Sequence, residues 1–407
     1  MLRTLAAIAV ICAGCFHPQY EQPLLCGPGD ACPSGSRCVN DRCVTGTSPG
    51  DGGSDAGPGG DGGSGGCMSF AVLVDTCLLS FDADLLVTGS ASYDTDAHVL
   101  MIGGTAAPVA VKTLLIGSDQ IDVISAHDVH LGVSARLRAT GSHGLAIIAS
   151  NDLAIDSDAQ IDVSSGGAGA RTSCPNGATR GQDSTNGAGG GGGGGFGAAG
   201  GSGGDGNRDG VPATGGAQGK AEPSFPLGLH GGCPGAAGGT GDLLGGAGGP
   251  GGGALYLVAA GRMVFDSLAP LSAGGGGGGG GAHTANNGDA GGGGGGSGGL
   301  LVLEAPHIQA QMATIAANGG GGGEGSDRGG GGASGSPATL TTNRATGGSG
   351  GAVTGSDGGD GGSFLGPSGG SVTASADGGG GGGGGGVGFI RIRSPDAAFL
   401  AISPTPG

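Results

Sequence analysis

Gly253-Ala254-Leu255-Tyr256-Leu257-Val258-Ala259-Ala260-Gly261-Arg262-Met263-Val264-Phe265 opens a unit of about twenty residues that runs to Ala273. An aliphatic run rich in Leu, Val and Tyr, a small-residue break and a second apolar run read as strand, turn and strand, with a short third strand near Leu271. Three other stretches have the same form: from Gly144 through Ile161 and Val163 to Gly166, from Gly299 to Asn318, and from Gly388 onward. Their starts are 109, 46 and 89 residues apart, the last close to twice the second. A unit this small cannot bury its apolar face alone, so the copies must stack on one another. The expected fold is therefore mainly β: a parallel β-helix, or solenoid, with each strand pairing to its equivalent in the next layer. In the last copy Ile390 and Ile392 alternate with Arg391 and Arg393, which suits a charged cap over an open strand edge.

Upstream, Phe70 to Val163 shows short apolar runs with a period of two, such as Val109-Ala110-Val111, Ile121-Asp122-Val123 and Ala135-Arg136-Leu137. Helical periodicity is missing from this region.

Oligoglycine separates the units, at residues 189–195, 274–281, 291–296, 319–323 and 378–386. Gly contributes 111 of the 407 residues, never in the strict triplet register of collagen. Two readings of these runs stand side by side. Ordering Gly costs more backbone entropy than ordering any other residue, which favours disordered loops. Stacked units would instead bring the runs together as polyglycine-II helices, with three residues per turn and hydrogen bonds between chains.

The remaining composition excludes whole classes of function. Aromatic residues make up 3 % with no Trp, leaving little stacking surface for bases or sugars. Fifteen basic residues face 32 acidic ones, for a net charge of -17, so there is no cationic footprint for nucleic acid.

The N-terminus carries the address. Arg3 precedes an apolar stretch from Leu5 to Ala13, too short to span a bilayer, so residues 1–14 read as a signal peptide. Residues 15–44 hold Cys15 and then Cys26, Cys32, Cys38 and Cys43 in a turn-rich segment with too few apolar residues for a core. Such a segment folds only if stapled, and four Cys allow three connectivities. The C-x2-C pairs of common zinc sites are not there. Residues 45–66 are Gly, Asp, Ser, Pro, Thr and Ala, with no apolar side chain larger than Ala or Pro to bury, and read as a flexible linker spanning roughly 25–30 Å. Residues 67–407 form the glycine-rich body. Cys67 with Cys77 and Cys174 with Cys233 are the natural remaining pairs, with cross-pairing as the alternative.

Three resemblances follow from these residues. Cys12-Ala13-Gly14-Cys15 resembles a bacterial lipobox, with Cys12 where an aliphatic residue is usual; the resemblance implies lipidation at Cys15, and Phe16 is not an inner-membrane retention Asp. The alternative is an ordinary signal peptide with a chance Cys. Cys32-Pro33-Ser34-Gly35-Ser36-Arg37-Cys38 resembles the small Cys-rich modules that follow the lipid-bearing Cys in bacterial surface lipoproteins. Gly144 to Gly407 resembles the glycine-rich β-solenoid and polyglycine-bundle regions of bacterial cell-surface proteins. Together they imply a protein tied to the bacterial outer membrane through its N-terminal lipid, on the surface or periplasmic face.

Chemical motifs are sparse. G-x-S-x-G at residues 200–204, 295–299 and 347–351 follows from the glycine content and lies between no strand and helix. The P-loop candidate ending at Gly219-Lys220 has Thr214 in the first Gly place and Ala221 in the Ser/Thr place. His127-Asp128-Val129-His130, near Asp119 and Asp122, is the one polar cluster of note; on a strand Asp128 and His130 share a face. No catalytic residue, cofactor or metal ligand is assigned. The expected role is structural or interactive, toward other surface proteins or polysaccharide and not nucleic acid. A carbohydrate-binding or polysaccharide lyase- or hydrolase-like β-helix is the alternative, and a passive spacer the third.

Overall fold

A computed structural model describes residues 67–404, apart from 68, 285–287 and 396, together with the strands Leu24–Leu25, Ser36–Val39 and Arg42–Thr45. The chain divides into two compact units, residues 1–66 and 67–407. In the first, the three strands form an antiparallel sheet with Arg42–Thr45 in the centre, and Cys38 stands opposite Cys43 in the backbone register. Cys15, Cys26 and Cys32 lie outside the described residues, as do the side chains of Cys38 and Cys43.

The second unit is mainly β, and its aliphatic segments pair in parallel. Asp119–Ala126, Gly144–Ala149, Ala254–Ala259, Leu300–Glu304 and Phe389–Arg393 lie side by side in that order. Their register lines up Ile124, Ile147, Leu257, Leu303 and Ile392 in one row. Ala110–Ile116 closes one edge of this sheet antiparallel to Asp119–Ala126, and Phe389–Arg393 forms the other. A second sheet faces the first. Leu85–Val87, Val129–Leu131, Leu153–Ile155 and Arg262–Phe265 form one column of it, and Ser90–Asp94, Arg136–Thr140, Gln160–Asp162 and Pro270–Ser272 a second. The longer strand His307–Ala316 pairs with both columns and then with Ala398–Ser403.

The core lies between the sheets. Ile147, Leu257 and Leu303 of the first sheet meet Leu153, Ile161 and Leu271 of the second, all within 1 % of full burial. The first sheet is covered on its other face as well, where Ala146, Ile148, Tyr256 and Val258 pack against Phe196 and Leu229. Burial on both faces explains why Ala254–Ala259 is a continuous apolar run and not an alternation. The second sheet has one wet face, so its strands alternate, as in Leu85–Val87 and Val129–Leu131. Among the described residues the one helical turn is the 3-10 turn Thr76–Leu78.

Glycine runs leave and re-enter the strand layers at one corner. Gly253 donates to Val163, Gly299 to Ala273 and Gly388 to Ala317, each at 2.7 Å, so the segments 164–252, 274–298 and 318–387 each begin and end beside a strand terminus. These three insertions are ordered against one another. Along residues 189–195 the amides of Gly190 and Gly193 donate to Gly204 and Gly201, those of Gly191 and Gly194 to Gly292 and Gly295, and those of Gly189 and Gly192 to Gln182 and Thr179. The carbonyls of the same run accept from Gly216 and Gly219, from Gly383 and Gly386, and from Gly239 and Ala236. One extended thread thus has six hydrogen-bonded neighbours, visited with a period of three residues. Residues 291–296 repeat the pattern.

Only a residue without a side chain can sit at such a position. A β-carbon on Gly193 would lie 1.9 Å from the Gly384 carbonyl oxygen, and one on Gly294 would lie 2.0 Å from that of Gly192. The entropy cost of ordering Gly is met here by backbone hydrogen bonds that water would otherwise supply. The disulfides Cys67–Cys77 and Cys174–Cys233 are formed, with Cα atoms 5.7 and 5.9 Å apart. The second joins the first part of the longest insertion to its last third.

Candidate functional site

The polar groups singled out in sequence do not converge. Asp128 and His130 share the outward face of Val129–Leu131, with Val129 buried between them. His130 Nε2 lies 2.9 Å from Asp156 Oδ2, while Asp128 accepts from Asn151 Nδ2 at 2.9 Å and from the Asp152 amide at 3.0 Å. His127 instead reaches Ser150 Oγ at 3.2 Å. Each pairs with the next layer, as do Arg136 with Gln160, Arg138 with Asp162 and Arg262 with Asp152. These half-exposed ladders lock the register of neighbouring layers, and each pair contributes little on its own.

Asp119 and Asp122, on the other sheet, are where charged side chains gather. Asp122 points from the strand Asp119–Ala126 into a site with no solvent exposure. Its Oδ2 accepts from the Tyr93 hydroxyl at 2.8 Å and lies 2.7 Å from His98 Nδ1. Its Oδ1 accepts from Thr113 Oγ1 at 3.0 Å and lies 3.3 Å from His143 Nδ1. Burial, and then the hydrogen bond to Asp122, push the Tyr93 phenol well above its ordinary range, so it stays a donor. His98 holds a left-handed backbone, φ +57°, which is unusual for a residue with a β-carbon.

Asp96 ties the two His-bearing turns together. It accepts from the Ser142 hydroxyl and, at 2.9 Å, from the Ser142 amide, and these two bonds hold its carboxyl below the usual range. The His143 amide donates to Thr95 Oγ1 at 3.2 Å. Gly141 lies so close that a β-carbon there would stand 2.3 Å from Thr95 Oγ1, and its φ of +112° also calls for Gly.

His143 also lines an open cleft of about 550 Å³ with Asp119, Gln120, Arg171 and His230. Here His230 Nδ1 lies 2.6 Å from Asp119 Oδ2, and Arg171 donates to His230 Nε2 at 2.6 Å and to Glu222 Oε1 at 2.7 Å. The Arg171 contact makes Nε2 the acceptor, so Nδ1 carries the proton toward Asp119. The wall presents a cation, an oriented imidazole and a carboxylate, a set able to bind hydroxyl and carboxylate groups.

Sequence reading noted Asp119 and Asp122 but not His98, His143, Arg171, Glu222 or His230. One signal was present: Asp122 falls between Ile121 and the Val123-Ile124 pair of a strand, where a carboxylate must find buried partners. The partners of Asp122 come from strands and turns up to 29 residues away, and the His230 that meets Asp119 from 111 residues away, beyond any local pattern. No described helix is long and apolar enough to cross a membrane. No known protein family, no curated protein and no solved structure matches the chain.

Proposed function

We propose that this is a lipid-anchored bacterial surface protein whose body is a parallel β-solenoid bearing a polyglycine-II face, and that it serves as a rigid structural or contact element without catalytic activity. The six-neighbour glycine lattice carries this reading: it spends most of the inserted chain on backbone-to-backbone order and little on side-chain chemistry. Layered strands with in-register aliphatics support the solenoid. The lipid anchor rests on the resemblance of the Cys12–Cys15 segment to a lipobox, and two or three acyl chains would hold it stably.

The test uses whole cells. Acyl labelling, outer-membrane fractionation and surface protease accessibility are compared for the wild type and Cys15→Ala, and adhesion between cells is compared for the wild type and a chain lacking residues 67–407. Label and membrane association should vanish in the first variant, and surface contact should weaken in the second. Acylated, membrane-bound Cys15→Ala protein would overturn the anchor; unchanged adhesion without the body would overturn the contact role.

The cleft lined by Asp119, Arg171 and His230 favours a second reading, the binding of an acidic or neutral polysaccharide. Release of new reducing ends from a polysaccharide panel by the full chain would move that reading from binding to catalysis.

A further inference from the structure

We propose that His98, Asp122 and His143 form a binding site for a single first-row divalent cation of the zinc class. One ligand atom from each residue lies within 4.8 Å of the others, on segments brought together from three places in the chain. In a tetrahedral site with bonds of about 2.0–2.1 Å, ligand atoms stand roughly 3.3 Å apart. The His98 and His143 Nδ1 atoms stand 2.7 and 3.3 Å from Asp122 Oδ2 and Oδ1, and the three ligand atoms lie within 4.8 Å of one another, so the shell closes as the two rings draw together.

Simple satisfaction of the carboxylate does not call for both imidazoles. Tyr93 and Thr113 already give one hydrogen bond to each oxygen of Asp122. Holding the rings has structural costs: the left-handed backbone at His98, the Gly141 approach to Thr95, and the Asp96–Ser142 clasp between the two turns. Such support around a His-Asp-His set is what fixes ligands ahead of metal entry. Two imidazoles and a carboxylate suit Zn²⁺ or Co²⁺ and not the all-oxygen preference of Ca²⁺. The carboxylate is fully buried while the His98 ring is 44 % exposed, which leaves an entry path and a fourth position for water.

The test is titration of the full chain, stripped with a chelator, with Co²⁺ alone, followed by displacement with Zn²⁺. The expected result is a visible Co²⁺ absorption of low-coordination type that saturates at one ion per chain and is bleached by Zn²⁺. Asp122 is buried and its substitution can unfold the site, so His98→Gln and His143→Gln are the lead variants. Each should weaken affinity at least about tenfold, already the lower range for outer-shell partners alone. His130→Gln, on the outer ladder, should leave it unchanged. The proposal is overturned if the folded wild-type chain takes up neither ion, or if the double His98→Gln, His143→Gln chain binds as the wild type does.

Discussion

A β-carbon on Gly190 would lie 2.0 Å from the carbonyl oxygen of Gly381, a residue on a different insertion. The oxygen belongs to backbone that is itself hydrogen-bonded to Gly204, so neither partner can retreat alone.

Gly190→Ala should therefore destabilise the body by about 3 kcal/mol or more, at the upper end of overpacking costs. Gly132→Ala is the control, since the nearest atom to its β-carbon would be Val87 O at 3.7 Å. That change should stay within about 1 kcal/mol of the wild type. Denaturant midpoints of the two variants decide the matter; equal midpoints would mean that the glycine threads are not packed against one another.

Ile147 occupies the row that joins Ile124, Leu257 and Leu303, with no exposure. Ile147→Ala should cost about 2–5 kcal/mol, through lost burial and the cavity left between two rigid neighbours. A thermal melt reading near-wild-type stability would place the core elsewhere.

Asp327 gathers five donors inside the lattice: the amides of Gly329, Gly330, Val353 and Thr354 and the hydroxyl of Thr354, at 2.6–2.9 Å. Burial by itself raises the pKa of its carboxyl, but the bonds from Thr354, Gly329 and Gly330 together outweigh it and hold the group below its usual range. A carboxyl whose folded pKa is depressed stabilises the fold above its unfolded value of about 4, and that contribution disappears as the pH falls through the folded value. Melting temperature should drop on acidification over this window in the wild type and less steeply in Asp327→Ala, which should also be less stable at neutral pH. Parallel pH profiles would contradict this assignment.

Cys174 and Cys233 close a loop with a sequence separation of 59. On the loop-entropy account, replacing both with Ala should cost about 4 kcal/mol. Cys233 also exchanges hydrogen bonds with Ser297, its amide to the hydroxyl at 2.8 Å and its carbonyl from the Ser297 amide at 3.0 Å, so proteolysis of the variant should begin in residues 164–252. A variant with the protease pattern and midpoint of the wild type would remove the bridge from the account.

Strand layers were legible in sequence because burial leaves a local imprint. Ala254–Ala259 and Leu300–Glu304 read as strands from their aliphatic runs, and their spacing by 46 residues suggested a shared wall. The order of the glycine threads was legible only as one of two alternatives. A run such as residues 291–296 has no side chains to announce which neighbours it meets, and its partners were invisible until Gly239, Gly279 and Gly380 were placed beside it. The site around Asp122 stayed hidden for a related reason: His98 and His143 each sit in a turn, where a lone His carries no periodic signal.

The thread at residues 189–195 has consequences for how the protein comes to exist. Its bonding partners extend from Thr179 to Gly386, so a nascent chain that has produced this thread must wait for nearly two hundred more residues before its amides are all occupied. Assembly of the lattice is then a late, concerted closure with a high mean loop length, slow by the usual relation between topology and rate. Pulse-labelled hydrogen exchange during refolding should show Gly191, Gly294 and Gly383 gaining protection together; earlier protection of Gly191 alone would mean that the threads crystallise one by one.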